Sequence, residues 1–259
     1  MSPIPYPKTT APSGFTLVEV LVTVTIIITL ATIGTMVTKR MRQASNMVVC
    51  TSNMRQIGMA MQMHADDHQG SYPDTTHTAS AETAWIYQLE QYLGKFDETR
   101  ICPADPHAAL RLKNKSSSYI LNSLVFVPPI DAFGEPDGTA RNKPALLPDP
   151  SATILVFIAS DTAGIYPGDD HTHSDRWSSW SAVIKDIAPD RHKRGTSSDS
   201  TGGSSSPLDT DLNKRGPIST GGSSNYLYAD GHVESIPANE LKSKIEAGRN
   251  IAEIPATER

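Results

Sequence analysis

The chain has 259 residues, 38% of them hydrophobic, with 23 Lys and Arg against 28 Asp and Glu and a formal charge of −5. That balance lacks the electrostatic footprint of a nucleic-acid binder, and a single long apolar segment excludes a multi-pass membrane protein. Two cysteines can make one bridge but neither a disulfide framework nor a Cys-only zinc site, and 19 Pro and 17 Gly in a largely polar remainder argue against a large, deeply buried enzyme.

Residues 1–14 are polar and Pro-rich, with Lys8 as their one charge. Residues 15–38 carry a single charge, Glu19, and predict a helix of about 36 Å, enough to cross a bilayer core with some tilt. Lys39, Arg40 and Arg42 follow. A small residue, Gly14, precedes the apolar run, the reverse of a secretory signal peptide. A carboxylate inside such a run calls for a partner or for access to the interface. Beyond it, Met47, Cys50, Met54, Ile57, Met61 and His64 form one helical stripe, opposite Ser52, Asn53, Arg55 and Gln56. Gly70, Tyr72 and Pro73 end the helix near residue 68. The stripe reads as core packing rather than a cofactor box.

The body, residues 69–259, reads as short strands and loops. Residues 83–93 predict an amphipathic helix with Trp85, Leu89 and Leu93 on one face. Residues 119–127 and 153–159 predict strands, and residues 180–184 a weaker one. Residues 225–236 predict a hairpin turning at Asp230-Gly231, and residues 239–248 a closing helix. Residues 194–224, dominated by Ser, Thr, Gly and Asp, read as a flexible surface loop.

The run Gly14-Phe15-Thr16-Leu17-Val18-Glu19 resembles the cleavage and methylation motif of type IV prepilins and type II secretion pseudopilins. The resemblance implies a leader, residues 1–14, cut by prepilin peptidase between Gly14 and Phe15, with methylation of the new Phe15 amine. It implies that Glu19 pairs with the Phe15 ammonium of a neighbouring subunit and fixes the register of assembly. It also implies pilin or pseudopilin subunits and an inner-membrane assembly platform as partners. Many type IV pilins carry a proline in the helix where this chain reads Ile33-Gly34-Thr35-Met36. The run from Cys50 to Gly58, then Asp66-Asp67, Gly70-Ser71-Tyr72-Pro73, Trp85 and Cys102-Pro103, resembles a pseudopilin-like subgroup that often ends in an H-x9-DG signature. Asp230-Gly231 matches its end, but Thr220 stands where the histidine would fall.

The fold expected is α+β and pilin-like. A transmembrane half (residues 15–38) and an amphipathic half (residues 39–68) form one long helix, packed on a small antiparallel sheet. The location expected is the inner membrane, single-pass, with a periplasmic body that later joins a filament. Export would place Cys50 and Cys102 in an oxidising compartment, where a bridge closes a loop of about 50 residues and stabilises by roughly 4 kcal/mol; two unpaired thiols are the alternative.

His171-Thr-His173-Ser-Asp175 spells the H-x-H-x-D of metallo-β-lactamase-like hydrolases, but Arg176 stands where a further histidine belongs and a turn-rich loop precedes it. Asp161, Asp169, Asp170 and Asp175 are hard oxygen donors suited to a structural Ca²⁺, or simply a solvated acidic loop. The function expected is a structural subunit of a type II secretion pseudopilus or type IV pilus-like filament, without catalytic residues; the alternative is a minor tip subunit binding exported substrate, DNA or a surface, and the remote one a membrane-anchored metal-dependent hydrolase.

Overall fold

The computed structural model describes residues 16–75, 84–129, 140–192 and 221–256. The chain divides into two units, Met1–Arg42 and Gln43–Arg259. One continuous helix, α1 (Leu17–Asp67, 51 residues), contributes to both. It begins at a reciprocal cap: the Thr16 backbone N–H donates to Glu19 Oε2 at 2.8 Å, and the Glu19 N–H donates to Thr16 Oγ1 at 3.3 Å. It ends at Gln69 and Gly70, both at positive φ, where the Gly70 N–H closes back on the Ala65 carbonyl at 2.8 Å.

In the first unit α1 exposes Leu17, Val18, Val20, Leu21, Val22, Val24, Ile26, Ile27, Ile28 and Leu30. The expected membrane span is corrected: among the described residues, no helix is long and apolar enough to cross a membrane. Glu19 is the group on this stretch that opposes a crossing, a charged carboxylate in an otherwise apolar run. The single-pass inner-membrane location falls with it.

In the second unit the stripe on α1 forms from Cys50 onward, while Met47, at its expected start, is only half-buried. Cys50, Met54, Ile57, Met61 and His64 are buried, joined by Ala60 and Ala65. Asn53, expected on the polar face, is buried too, because its Nδ2 donates to the Glu98 and Ile101 carbonyls at 3.1 Å each. Residues 83–93 give two short pieces rather than one helix: α2 (Trp85–Gln88) and a 3-10 turn at Glu90–Tyr92. Trp85, Leu89 and Leu93 still point into the core shared with α1. Two further short helices follow, α3 (Phe96–Thr99) and α4 (Ala108–Lys113).

The expected strand over residues 119–127 is cut short. Strand β1 (Tyr119–Leu121) stops at Asn122, whose Oδ1 accepts from the Leu124 N–H at 3.0 Å and starts α5 (Ser123–Phe126). Strand β2 (Ile154–Ile158) forms as expected. The expected strand over 180–184 is instead α6 (Trp180–Asp186), capped by Ser179, whose Oγ accepts from Ala182 N–H at 3.4 Å. The hairpin forms as β3 (Ser223–Tyr228) and β4 (Val233–Pro237), with Gly231 at φ 89° in the turn, and α7 (Ala238–Glu246) closes the body.

The four strands pair antiparallel in the order β1-β2-β3-β4, which fits the α+β class expected. The sheet has a core on each face. Tyr119, Leu121, Val156, Ile158 and Leu227 pack with α1 and α2, while Ile120, Phe157, Tyr226 and Ile236 pack with Val183 of α6 and Leu241 and Ile245 of α7. Leu155 and Val156 are neighbours in sequence yet both join the α1 core. A register irregularity between Ile154 and Val156 resets the alternation there. Gly58 lets α1 approach the sheet closely: a Cβ there would sit 3.0 Å from Leu227 Cδ1.

Candidate functional site

Gly14 and Phe15 lie outside the described residues. Glu19 is exposed, and besides its cap it accepts the Thr16 hydroxyl at 2.8 Å.

The four aspartates of the expected cation loop do not converge. Asp161 pairs with the buried Arg191 at 2.8 Å. Asp169 accepts the Gly164 N–H, and burial pushes its carboxyl up, against the charged form a cation needs. Asp170 is buried against His171 Nδ1 at 2.8 Å, and Asp175 sits beside Arg176 on the surface. Each carboxylate answers to a different neighbour, so the four make no common oxygen cage. The two histidines of the H-x-H-x-D run lie with their ring centroids 5.5 Å apart but differ in burial. His171 is buried beside β1, whereas His173 is half exposed, its ring 3.7 Å from Asp186.

The body instead concentrates polar chemistry under the sheet. Arg111 is fully buried. Its Nε donates to Asp105 Oδ2 at 2.6 Å, and its Nη atoms donate to the carbonyls of Ser117, Ser160, Ala163 and Gly164. Ser118 Oγ donates to the same Asp105 oxygen at 2.7 Å. Burial pushes the Asp105 carboxyl up, but the charges of Arg111 and Arg191 and the bonds from Ser118 and His107 outweigh it and hold it below the ordinary carboxylate value.

Beside this network lie Cys50 of α1, Cys102 of the Ile101-Cys102-Pro103 turn, and His192. All three are buried, and their Sγ, Sγ and ring-nitrogen atoms lie within 4.8 Å of one another. Cys102 Sγ is 3.9 Å from His192 Nε2, and Tyr119 Oη donates to Cys50 Sγ at 3.5 Å. The two cysteines of the expected bridge lie side by side, their sulfurs within 4.8 Å, with no bond between them in this structure. Burial pushes both thiols up. For Cys50 the bonds from Cys102, Tyr119 and Asn225 and the charge of Arg191 more than offset it and bring the thiol down, while Cys102 stays raised by burial and by its bond to Cys50. The pair therefore favours a proton on Cys102 shared toward Cys50.

His192 is the residue that sequence reasoning missed. It is fixed by a two-way backbone pairing with Ser223, N–H to carbonyl at 2.8 and 2.7 Å. No local sequence pattern singled it out. The chain matches no family model, no curated protein and no solved structure.

Proposed function

We propose that this chain is the structural subunit of a pilin- or pseudopilin-like filament, matured by a prepilin-type peptidase between Gly14 and Phe15. The observation that carries the reading is the first unit of α1. Ten large aliphatic side chains from Leu17 to Leu30 are exposed on it, and Leu17, Val18, Leu21, Ile27 and Leu30 are each more than 60% exposed. Consecutive positions lie 100° apart on a helix, so this surface is apolar on several sides, and a helix of that kind is covered in its working state. Copies of the same helix, side by side in a filament core, cover it.

The motif around the start of that helix supports the same reading. Glu19 is the acidic group on the apolar surface, one turn from residue 15, and in a bundle it pairs with the Phe15 ammonium of a neighbouring copy. Neither charge is tolerated alone in an apolar core, and each offsets the other.

The test separates the two jobs of Glu19. Glu19→Gln keeps a side chain able to close the cap with Thr16 but removes the charge; Glu19→Ala removes both. The mature wild-type protein should begin at methylated Phe15 by intact mass, and Gly14→Val should stay uncut. Both Glu19 variants should be processed yet enter filaments poorly. Normal incorporation of Glu19→Gln, or a mature protein retaining residues 1–14, would overturn the reading.

A further inference from the structure

We infer that Cys50, Cys102 and His192 form a buried binding site for a thiophilic d¹⁰ cation, zinc(II) or copper(I), independent of the filament reading. Three segments far apart in sequence converge there: the middle of α1, the turn at Pro103, and the segment pairing with β3. Their relative exposures are 0%, 0% and 2%. Two sulfurs and an imidazole are soft-to-borderline donors, and no carboxylate joins the group. That donor set rejects Ca²⁺ and Mg²⁺ and selects zinc or cuprous copper.

The geometry is close to what such an ion needs. Sulfur and nitrogen ligands at about 2.3 and 2.0 Å from one ion lie about 3.5–4 Å from each other. Cys102 Sγ and His192 Nε2 are already 3.9 Å apart, and no pair in the group exceeds 4.8 Å. Small rotations about the side-chain bonds close the remainder. The backbone around each ligand is held: Cys50 by α1, Cys102 by the Asp105 N–H bonding its carbonyl at 2.9 Å, His192 by its pairing with Ser223. Ligands on fixed backbone are pre-organised.

His192 distinguishes a metal site from a latent disulfide. A disulfide uses the two sulfurs and leaves the imidazole facing them with no role. The ring's contact is the Cys102 thiol, and its Nδ1 is buried without a hydrogen-bond partner. Asn225, which hydrogen-bonds Cys50, has a buried Oδ1 that also lacks a hydrogen-bond partner. Copper(I) is satisfied by three such ligands, while zinc(II) takes a fourth, oxygen ligand. On binding, the protons on the two sulfurs pass to solvent and the ion takes their place between the sulfurs.

The experiment uses the full chain, purified under reducing, anaerobic conditions and stripped with chelator. It is then titrated separately with zinc chloride and with copper(I) held in acetonitrile. Bound metal is read by elemental mass spectrometry, and thiol protection by alkylation after denaturation in the presence of the metal. About one ion per chain should bind, and both thiols should be protected. His192→Ala, which keeps both cysteines, should weaken binding about tenfold or more, and Cys50→Ser and Cys102→Ser should abolish it. Metal-free melting curves identify any variant that fails to fold. Cobalt(II) on the wild-type chain gives a reading that needs no variant: sulfur-to-cobalt charge-transfer bands are expected. Failure of the wild-type chain to bind either cation, zinc bound without those bands on cobalt, or a folded His192→Ala that binds like wild type would overturn the inference.

Discussion

Replacing Asp105 with alanine tests the buried network directly. Asp105 and Arg111 are both fully buried, and the Arg111 Nε–Asp105 Oδ2 contact is 2.6 Å. Arg111's remaining bonds go to the carbonyls of Ser117, Ser160, Ala163 and Gly164, so the guanidinium cannot leave without orphaning four acceptors. Asp105→Ala therefore strands a positive charge in the interior and leaves the Ser118 hydroxyl without its acceptor. Removing one partner of a buried pair costs about 3–5 kcal/mol. For a chain of this size each kcal/mol moves the melting midpoint by about 2–4 °C, so the midpoint should fall by about 6–20 °C. Thermal unfolding followed by tryptophan fluorescence measures it, with Trp85 and Trp177 as buried reporters, and urea unfolding gives the free energy. The pH dependence adds a sign. Asp105 is held below the ordinary carboxylate value of about 3.9, so its contribution is complete above that pH. It is lost as the pH falls through the folded-state value. The gap between wild type and variant should thus be constant near neutrality and narrow below about pH 4. A cost under about 1 kcal/mol, or a gap that widens in acid, would refute the reasoning.

Three other outcomes follow from the geometry. Deleting residues 193–220 joins His192 to Gly221 and leaves Gly221-Gly222 as a two-residue turn between the paired His192 and Ser223, a favoured hairpin composition; the melting midpoint should be unchanged or higher, read by circular dichroism. Gly222→Ala should destabilise by about 1–3 kcal/mol in urea unfolding, because a Cβ there meets the Asp190 backbone at 2.8 Å. Asn53→Ala should cost about 1–3 kcal/mol in the same assay, since the Glu98 and Ile101 carbonyls lose their shared donor.

Periodicity alone determined the elements whose burial follows one repeating rule. The stripe from Cys50 to His64, the strand at residues 154–158 and the hairpin at Asp230-Gly231 were legible because apolar spacing and turn chemistry act locally and agree there. Elements governed by a single hydrogen bond were not. Asn122 ends β1 and Ser179 starts α6 through one side-chain oxygen each, and a strand-like composition does not reveal which cap forms. Asn53 looked solvent-facing because its partners, Glu98 and Ile101, lie 45 and 48 residues away.

The candidate site belongs almost wholly to the tertiary structure. Cys50 and Cys102 could be singled out as the two sulfurs of the chain, but their meeting with His192 depends on the sheet pairing of Ser223 with a residue 31 positions earlier. No local pattern encodes that closure. The sequence determined which chemical groups the chain carries; burial and strand pairing decided which of them meet, because a contact between distant residues is fixed by the packing of everything between them.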